Sequence, residues 1–171
     1  MPDDPLLLMV QVACTHEHLG AFNTWYSSHL PNLLRIPGLT WAQRYINLEE
    51  SEGGAARLTA LYGIRHASDF PSILDRSGSP DFHPIAANEF SAFSQMDGMS
   101  GRVANVYEQI SGTPLRAALL GSDRPISIVT AGVDPEHETE WDRWMAYGAL
   151  HARDLGWGFY RLISKHFKWP E

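Results

Sequence analysis

Apolar and polar positions change period several times along the chain, and each change marks an element. Leu6 to Cys14 is short and apolar almost throughout, the pattern of a buried strand, and Thr15 behind it suits the N-cap of a helix. From His18 to Ile36 the residues Leu19, Phe22, Tyr26, Leu30 and Leu33 recur at three- and four-residue steps, which predicts a helix with one apolar stripe. Pro37 and Gly38 end it. Leu39 to Leu48 alternates, with Trp41, Gln43 and Tyr45 on one side and Ala42, Arg44, Ile46 and Leu48 on the other, so a second strand is expected. Glu49 to Ala55, carrying Ser51, Gly53 and Gly54, reads as a hairpin connection into a third strand, Arg57 to Ile64. Asp69 to Phe93 has a helical pattern broken by Gly78, Pro80 and Pro84, which predicts two shorter helices separated by a loop. Arg102 to Ile110 is then the fourth strand.

Strand, helix, strand, strand, helix, strand is the order of an α+β fold, a ferredoxin-like βαββαβ unit whose antiparallel sheet carries both helices on one face. Strand parity supports this. Leu6, Leu8, Val10, Ala42, Ile46, Leu58, Ile64, Ala104 and Val106 form an apolar face for the helices. The opposite face gathers Met9, Gln11, Trp41, Gln43, Tyr45, Thr59, Asn105, Tyr107 and Gln109, too aromatic for open water and too polar for a dry core. A second sheet facing it is the expected cover.

Residues 1–112 thus make one domain, 113–125 a linker, and 126–171 a partial second repeat of βαβ form. In that repeat Ile126 to Val133 reads as a strand, Pro135 to Leu155 as a helix and Trp157 to Ile163 as a strand. Trp141 and Trp144 echo Phe22 and Trp25, and Gly156 before Trp157 echoes Gly38 before Trp41.

Composition narrows the function. A chain of 171 residues that is 44% hydrophobic has the apolar surface for a core, and its six Trp, six Tyr and seven Phe suit cores, interfaces or pockets for flat organic ligands. The net charge of −7, with 13 scattered Lys and Arg, argues against nucleic acid as a partner. Leu6 to Val10 is too short to span a bilayer and follows Asp3 and Asp4 rather than a positive segment, so neither a membrane span nor a secretion signal is expected. With Cys14 the sole cysteine, no internal disulfide is available, and the expected compartment is the cytoplasm. Glycine-rich phosphate loops, G-x-S-x-G and reactive cysteine arrangements are missing, which disfavours nucleotide, hydride and serine-hydrolase chemistry.

The string from Phe22 to Gly38, FNTWYSSHLPNLLRIPG, with the following strand ending Gln43-Arg44-Tyr45, resembles the first helix and second strand of EthD-like proteins in the dimeric α+β barrel superfamily. The likeness continues weakly through Leu58 to Ile64 and the strand RVANVYEQI, covering residues 5–112. It implies a homodimer that pairs two four-stranded sheets into a barrel. The activities it implies range over cofactor-independent oxygenation, aromatic cyclisation, isomerisation, dehydration and haem chemistry, and many such proteins have no assigned activity.

His29 is the first candidate for catalysis, because an imidazole moves protons near neutral pH without a cofactor. It shares a helix face with Trp25 and Tyr26, and Pro31 removes the hydrogen bond due to the Ser27 carbonyl, a polar break in an aromatic face. The alternative is a structural His29 that caps the helix end. Tyr26, Tyr45, Tyr62 and Tyr107 either orient a phenol or carbonyl substrate or are core rings with a polar tip. Trp25 and Trp41 supply aromatic walls. Arg44, on the helix-facing side of the second strand, either holds a carboxylate or pairs with a helix acid. His83, in the SPDFHP segment, is a ligand, a lid residue or exposed. His16, Glu17 and His18 lack the spacing of a zinc site, so no metal is expected. The expectation is a small-molecule enzyme, with no cofactor, acting on an apolar or aromatic, even polyketide-like, molecule held between sheet and helices. The alternatives are a non-catalytic hydrophobic-ligand-binding or stress-related module, and a haem-binding protein, for which no local signal selects one of the eight histidines.

Overall fold

The computed structural model describes residues 6–47, 54–73, 81–112, 115, 126–129, 132–144 and 158–168. Its elements are β1 (Leu6–Thr15), α1 (Leu19–Leu33), β2 (Leu39–Ile46), β3 (Ala55–Ile64), α2 (Phe70–Ile73), α3 (Pro84–Ser94), β4 (Met99–Gly112) and β5 (Gly158–Lys168). The strands form one antiparallel sheet in the order β2-β3-β1-β4-β5. Its first four members have the ferredoxin-like βαββαβ topology, so the fold is the α+β class expected from strand order.

β1 is central, running from Leu6 opposite Ile64 to Thr15 opposite Ala55 along β3, and lying against β4 on its other edge with a bulge between Gln11 and Ala13. Leu6, Leu7, Leu8 and Met9 are all buried, which is why this strand reads as a continuous apolar run rather than an alternating one.

Both ends of α1 depart from expectation. The N-cap is His18, with no side-chain cap bond, and the Thr15 hydroxyl lies 2.8 Å from His18 Nδ1 instead. The helix ends at Leu33, and the amides of Leu34, Arg35 and Ile36 close a turn onto the carbonyls of Leu30, Asn32 and Leu33. Gly38 follows at φ +98°, with Asp69 packed where a Cβ would stand, so both backbone and space demand glycine there. The broken second helical region is seen as α2 and α3; the 48–53 hairpin tip and residues 74–80 lie outside the described residues.

Sheet parity sorts the core. On the helix side Leu6, Leu8, Val12, Leu58, Ala60, Tyr62, Ile64, Ala104 and Val106 pack with Phe22, Tyr26 and Ile36. On the opposite face Leu7, Met9, Trp41 and Leu61 form a second cluster, against which Tyr45, Tyr107, Leu115 and Ile126 pack. Part of the cover over this face therefore comes from the chain itself.

Residues 126–129 and 132–134 carry no strand, contrary to the expectation for Ile126 to Val133, and Val129 is 89% exposed. The edge of β4 is taken by β5, so this segment does not pair with β4. A 3-10 turn at Pro135–His137 leads into helix over 138–144, and the rest of the expected helix lies outside the described residues. Trp141 and Trp144 contact each other and stay exposed, whereas Phe22 is wholly buried, so the echoed aromatic positions play different parts. No described helix is long and apolar enough to cross a membrane.

Candidate functional site

Between the helix-facing side of the sheet and the helices α1 and α3 lies a cavity of about 90 Å³. Trp25, Tyr26 and His29 reach it from α1, Tyr62 from β3, Glu89 from α3 and Arg102 from β4. Leu8, Val10, Ile36, Phe90 and Phe93 supply apolar wall.

The α1 spacing puts Trp25, Tyr26 and His29 on one side of the helix. The Trp25 indole stacks on the imidazole, with centroids 4.1 Å apart and planes at 28°, and the Tyr26 ring meets it edge-on at 4.9 Å. His29 is buried, and its Nδ1 lies 2.8 Å from Glu89 Oε2. Asn32, one turn further along, donates from Nδ2 to Glu89 Oε1 at 2.7 Å. A single α3 carboxylate is thus held at both oxygens by α1.

Burial pushes the His29 pKa below its ordinary 6.5; the hydrogen bond and charge of Glu89 pull the other way without offsetting it, and Arg102 adds to the lowering. The ring is therefore neutral at neutral pH. A neutral imidazole bonded to a carboxylate through Nδ1 donates that proton, which leaves the Nε2 lone pair as the basic position. Geometry and titration agree on a proton acceptor whose conjugate acid the Glu89 charge would stabilise.

The second polar pair is Tyr26 and Tyr62, hydroxyls 2.8 Å apart and buried. Burial is the first cause raising both phenols above their ordinary 10, Tyr62 well above it, so both stay protonated and act as hydrogen-bonding groups rather than bases. Arg44 and Arg102 oppose that rise through their charge. The Arg44 guanidinium sits 4.8 Å from the Tyr26 ring centre, and that of Arg102 4.7 Å from Phe90.

Of the residues singled out in the sequence, the cavity brings together Trp25, Tyr26, His29 and Tyr62. Trp41, Tyr45 and Tyr107 lie on the opposite sheet face. Arg44 faces α1 as parity suggested, but it stacks behind Tyr26 and is not part of the cavity wall. His83 is the N-cap of α3, its Nδ1 accepting from the Ile85 amide at 3.2 Å, and it is not part of the cavity wall. Sequence reasoning missed Glu89, Asn32 and Arg102. A signal for Glu89 was present: it is the sole acid in α3 and is spaced with Ala86, Phe90 and Phe93 on the inward side.

Volume limits what can enter. The described cavity, at about 90 Å³, is smaller than the roughly 150 Å³ cavity known to hold one benzene ring, so it suits a small ligand as it stands.

No family model and no curated protein matches the chain. Among solved structures, it is similar to a provisionally assigned antibiotic biosynthesis monooxygenase from Deinococcus radiodurans, with 10% identity and a TM-score of 0.47 over 73% of this chain and 99% of that one. It is also similar to SnoaB, a cofactor-independent oxygenase from Streptomyces nogalater, with 12% identity and a TM-score of 0.41 over 60% of this chain and 90% of that one.

Proposed function

We propose that this chain is a small-molecule enzyme, EthD-like within the dimeric α+β barrel group, in which His29 takes and returns a proton without a cofactor. The observation that carries the reading is the 2.8 Å bond between His29 Nδ1 and Glu89 Oε2 at the wall of an apolar cavity. The Phe22 to Gly38 string supports the EthD-like part, and the mixed aromatic and polar sheet face supports a homodimer.

Each neighbour of the imidazole has a task. Glu89 selects the tautomer and balances the positive charge that forms when Nε2 takes a proton; Asn32 keeps the carboxylate aimed; the Trp25 face stabilises the imidazolium. Apolar walls exclude water, so these interactions act in a low dielectric. A positioned general base of this kind accelerates proton transfer by about 10²–10⁴-fold.

Nitrogen NMR on the isolated protein tests the arrangement without a substrate. His29 is expected to titrate below 6.5 with its proton on Nδ1. Glu89→Gln removes an interaction that raises the His29 pKa and is expected to move the titration lower still. An Nε2–H tautomer, or a titration above 6.5, would remove the general base from the reading.

A further inference from the structure

The Tyr26–Tyr62 pair has a hydrogen-bond count that the fold leaves open. Two phenol hydroxyls bring two protons, and their mutual 2.8 Å bond uses one of them. The hydroxyl that accepts in this bond keeps its own proton to donate, and no protein acceptor meets either hydroxyl among the described residues. Both residues line the cavity, where Tyr26 is 7% and Tyr62 3% exposed. A buried donor without an acceptor is costly, so the pair calls for an oxygen from outside the protein.

Charge agrees on the kind of oxygen. Glu89, the carboxylate of the cavity wall, is bonded to both His29 and Asn32. Around the tyrosines the nearby charges are the Arg44 guanidinium behind the Tyr26 ring and Arg102 on the cavity wall, both of which favour negative charge at the two phenols. The cavity therefore holds a proton acceptor at His29 and, at the tyrosine pair, a donor with cations near it.

We infer that the Tyr26–Tyr62 hydroxyl pair is a carbonyl-oxygen subsite, and that the cavity takes a small enolisable ketone or ester whose acidic C–H lies against His29. The inference rests on the general-base reading of His29. The substrate α-carbon gives its proton to His29 Nε2, the C–H bonding pair becomes the C=C bond, and the carbonyl π pair moves to the oxygen facing the free hydroxyl proton. The imidazolium then gives a proton to the carbonyl oxygen or back to the α-carbon, which completes an enolisation or an epimerisation with no net change in oxidation state. Exchange of that proton with solvent before its return places deuterium on carbon. The cavity volume favours the smallest members of the class, such as a three- or four-carbon ketone or a methyl ester, over a ring of benzene's bulk.

The test is hydrogen–deuterium exchange at the α-carbon of acetone, butanone and methyl acetate, followed by proton NMR in deuterated buffer. Wild-type protein is expected to accelerate exchange of at least one probe, and His29→Gln to reduce it by about 10²–10⁴-fold. The double variant Tyr26→Phe/Tyr62→Phe keeps both rings but removes both donors, and is expected to lose about 10²–10³-fold. Each single Tyr→Phe variant, which retains one hydroxyl, should lose less; circular dichroism checks that all variants fold. Loss of exchange in His29→Gln with full exchange in the double tyrosine variant overturns the oxygen subsite and leaves the base. Loss in the double variant with full exchange in His29→Gln overturns the base. No acceleration of any probe by wild-type protein overturns the substrate class, and so does a high-resolution structure with the free hydroxyl bonded only to water in the presence of probe.

Discussion

The two faces of the sheet are buried in different ways. On the helix side several polar groups pair across elements, with His29 and Asn32 of α1 holding Glu89 of α3 and Tyr26 meeting Tyr62 of β3, although Arg44 Nη1 is buried there without a hydrogen-bond partner among the described residues. On the opposite face Trp41 Nε1 and the Tyr45 hydroxyl are buried without a hydrogen-bond partner among the described residues, although Leu115 and Ile126 pack nearby. The difference teaches how each face handles its polar groups. The helix side pairs most of them across elements around a cavity, whereas the other face has buried polar atoms that a further layer, as in the proposed homodimer, would satisfy.

Substitutions on each face test that division. The largest effect is expected for Phe22→Ala on the helix side, where a wholly buried ring contacts Trp25 and Tyr26; a loss of about 3–5 kcal/mol in denaturant unfolding is predicted. On the other face, the Trp41 indole occupies the space that a Cβ on Gly63 would need, so Gly63→Ala should cost about 1–3 kcal/mol by the same measurement. Relief of that cost by a second change, Trp41→Val, would show that the clash is with the indole. An unchanged stability in Gly63→Ala would mean that Trp41 is free to leave the face.

Tyr45→Phe addresses the missing layer. In a homodimer that supplies an acceptor, loss of the hydroxyl should weaken association by about 1 kcal/mol in sedimentation equilibrium. A monomer with unchanged or raised melting temperature would break the dimer half of the comparison and show that the chain covers the face alone.

The smallest effect is in the pH dependence. Because burial holds the folded His29 below 6.5, the unfolded chain binds more protons between the two values, and stability rises with pH there. This contribution is full above 6.5 and is lost as pH falls from 6.5 through the folded value. His29→Gln removes the titrating group, so melting curves across that window should be flatter for the variant than for wild type.

Some of the site was legible beforehand, for a local reason. Trp25, Tyr26 and His29 are three and four residues apart, and helical geometry alone puts them together. Their partners were not legible, because Glu89 lies 60 residues from His29 and Tyr62 36 residues from Tyr26, separations that no local period encodes. His83 shows the reverse: the SPDFHP segment left it open as a ligand, a lid residue or an exposed side chain, and the fold gives its ring a bond to the Ile85 amide as a helix cap.

Order and period along the chain determined the elements through β4, the α+β class and the two faces of the sheet, since side-chain alternation and helical stripes are properties of a few consecutive residues. Tertiary structure alone decided that β5 closes onto β4, that Leu115 and Ile126 lie over the Trp41 face, and that α3 delivers a carboxylate to His29. Each of these depends on which distant segments meet, and that is set by the packing of the whole chain.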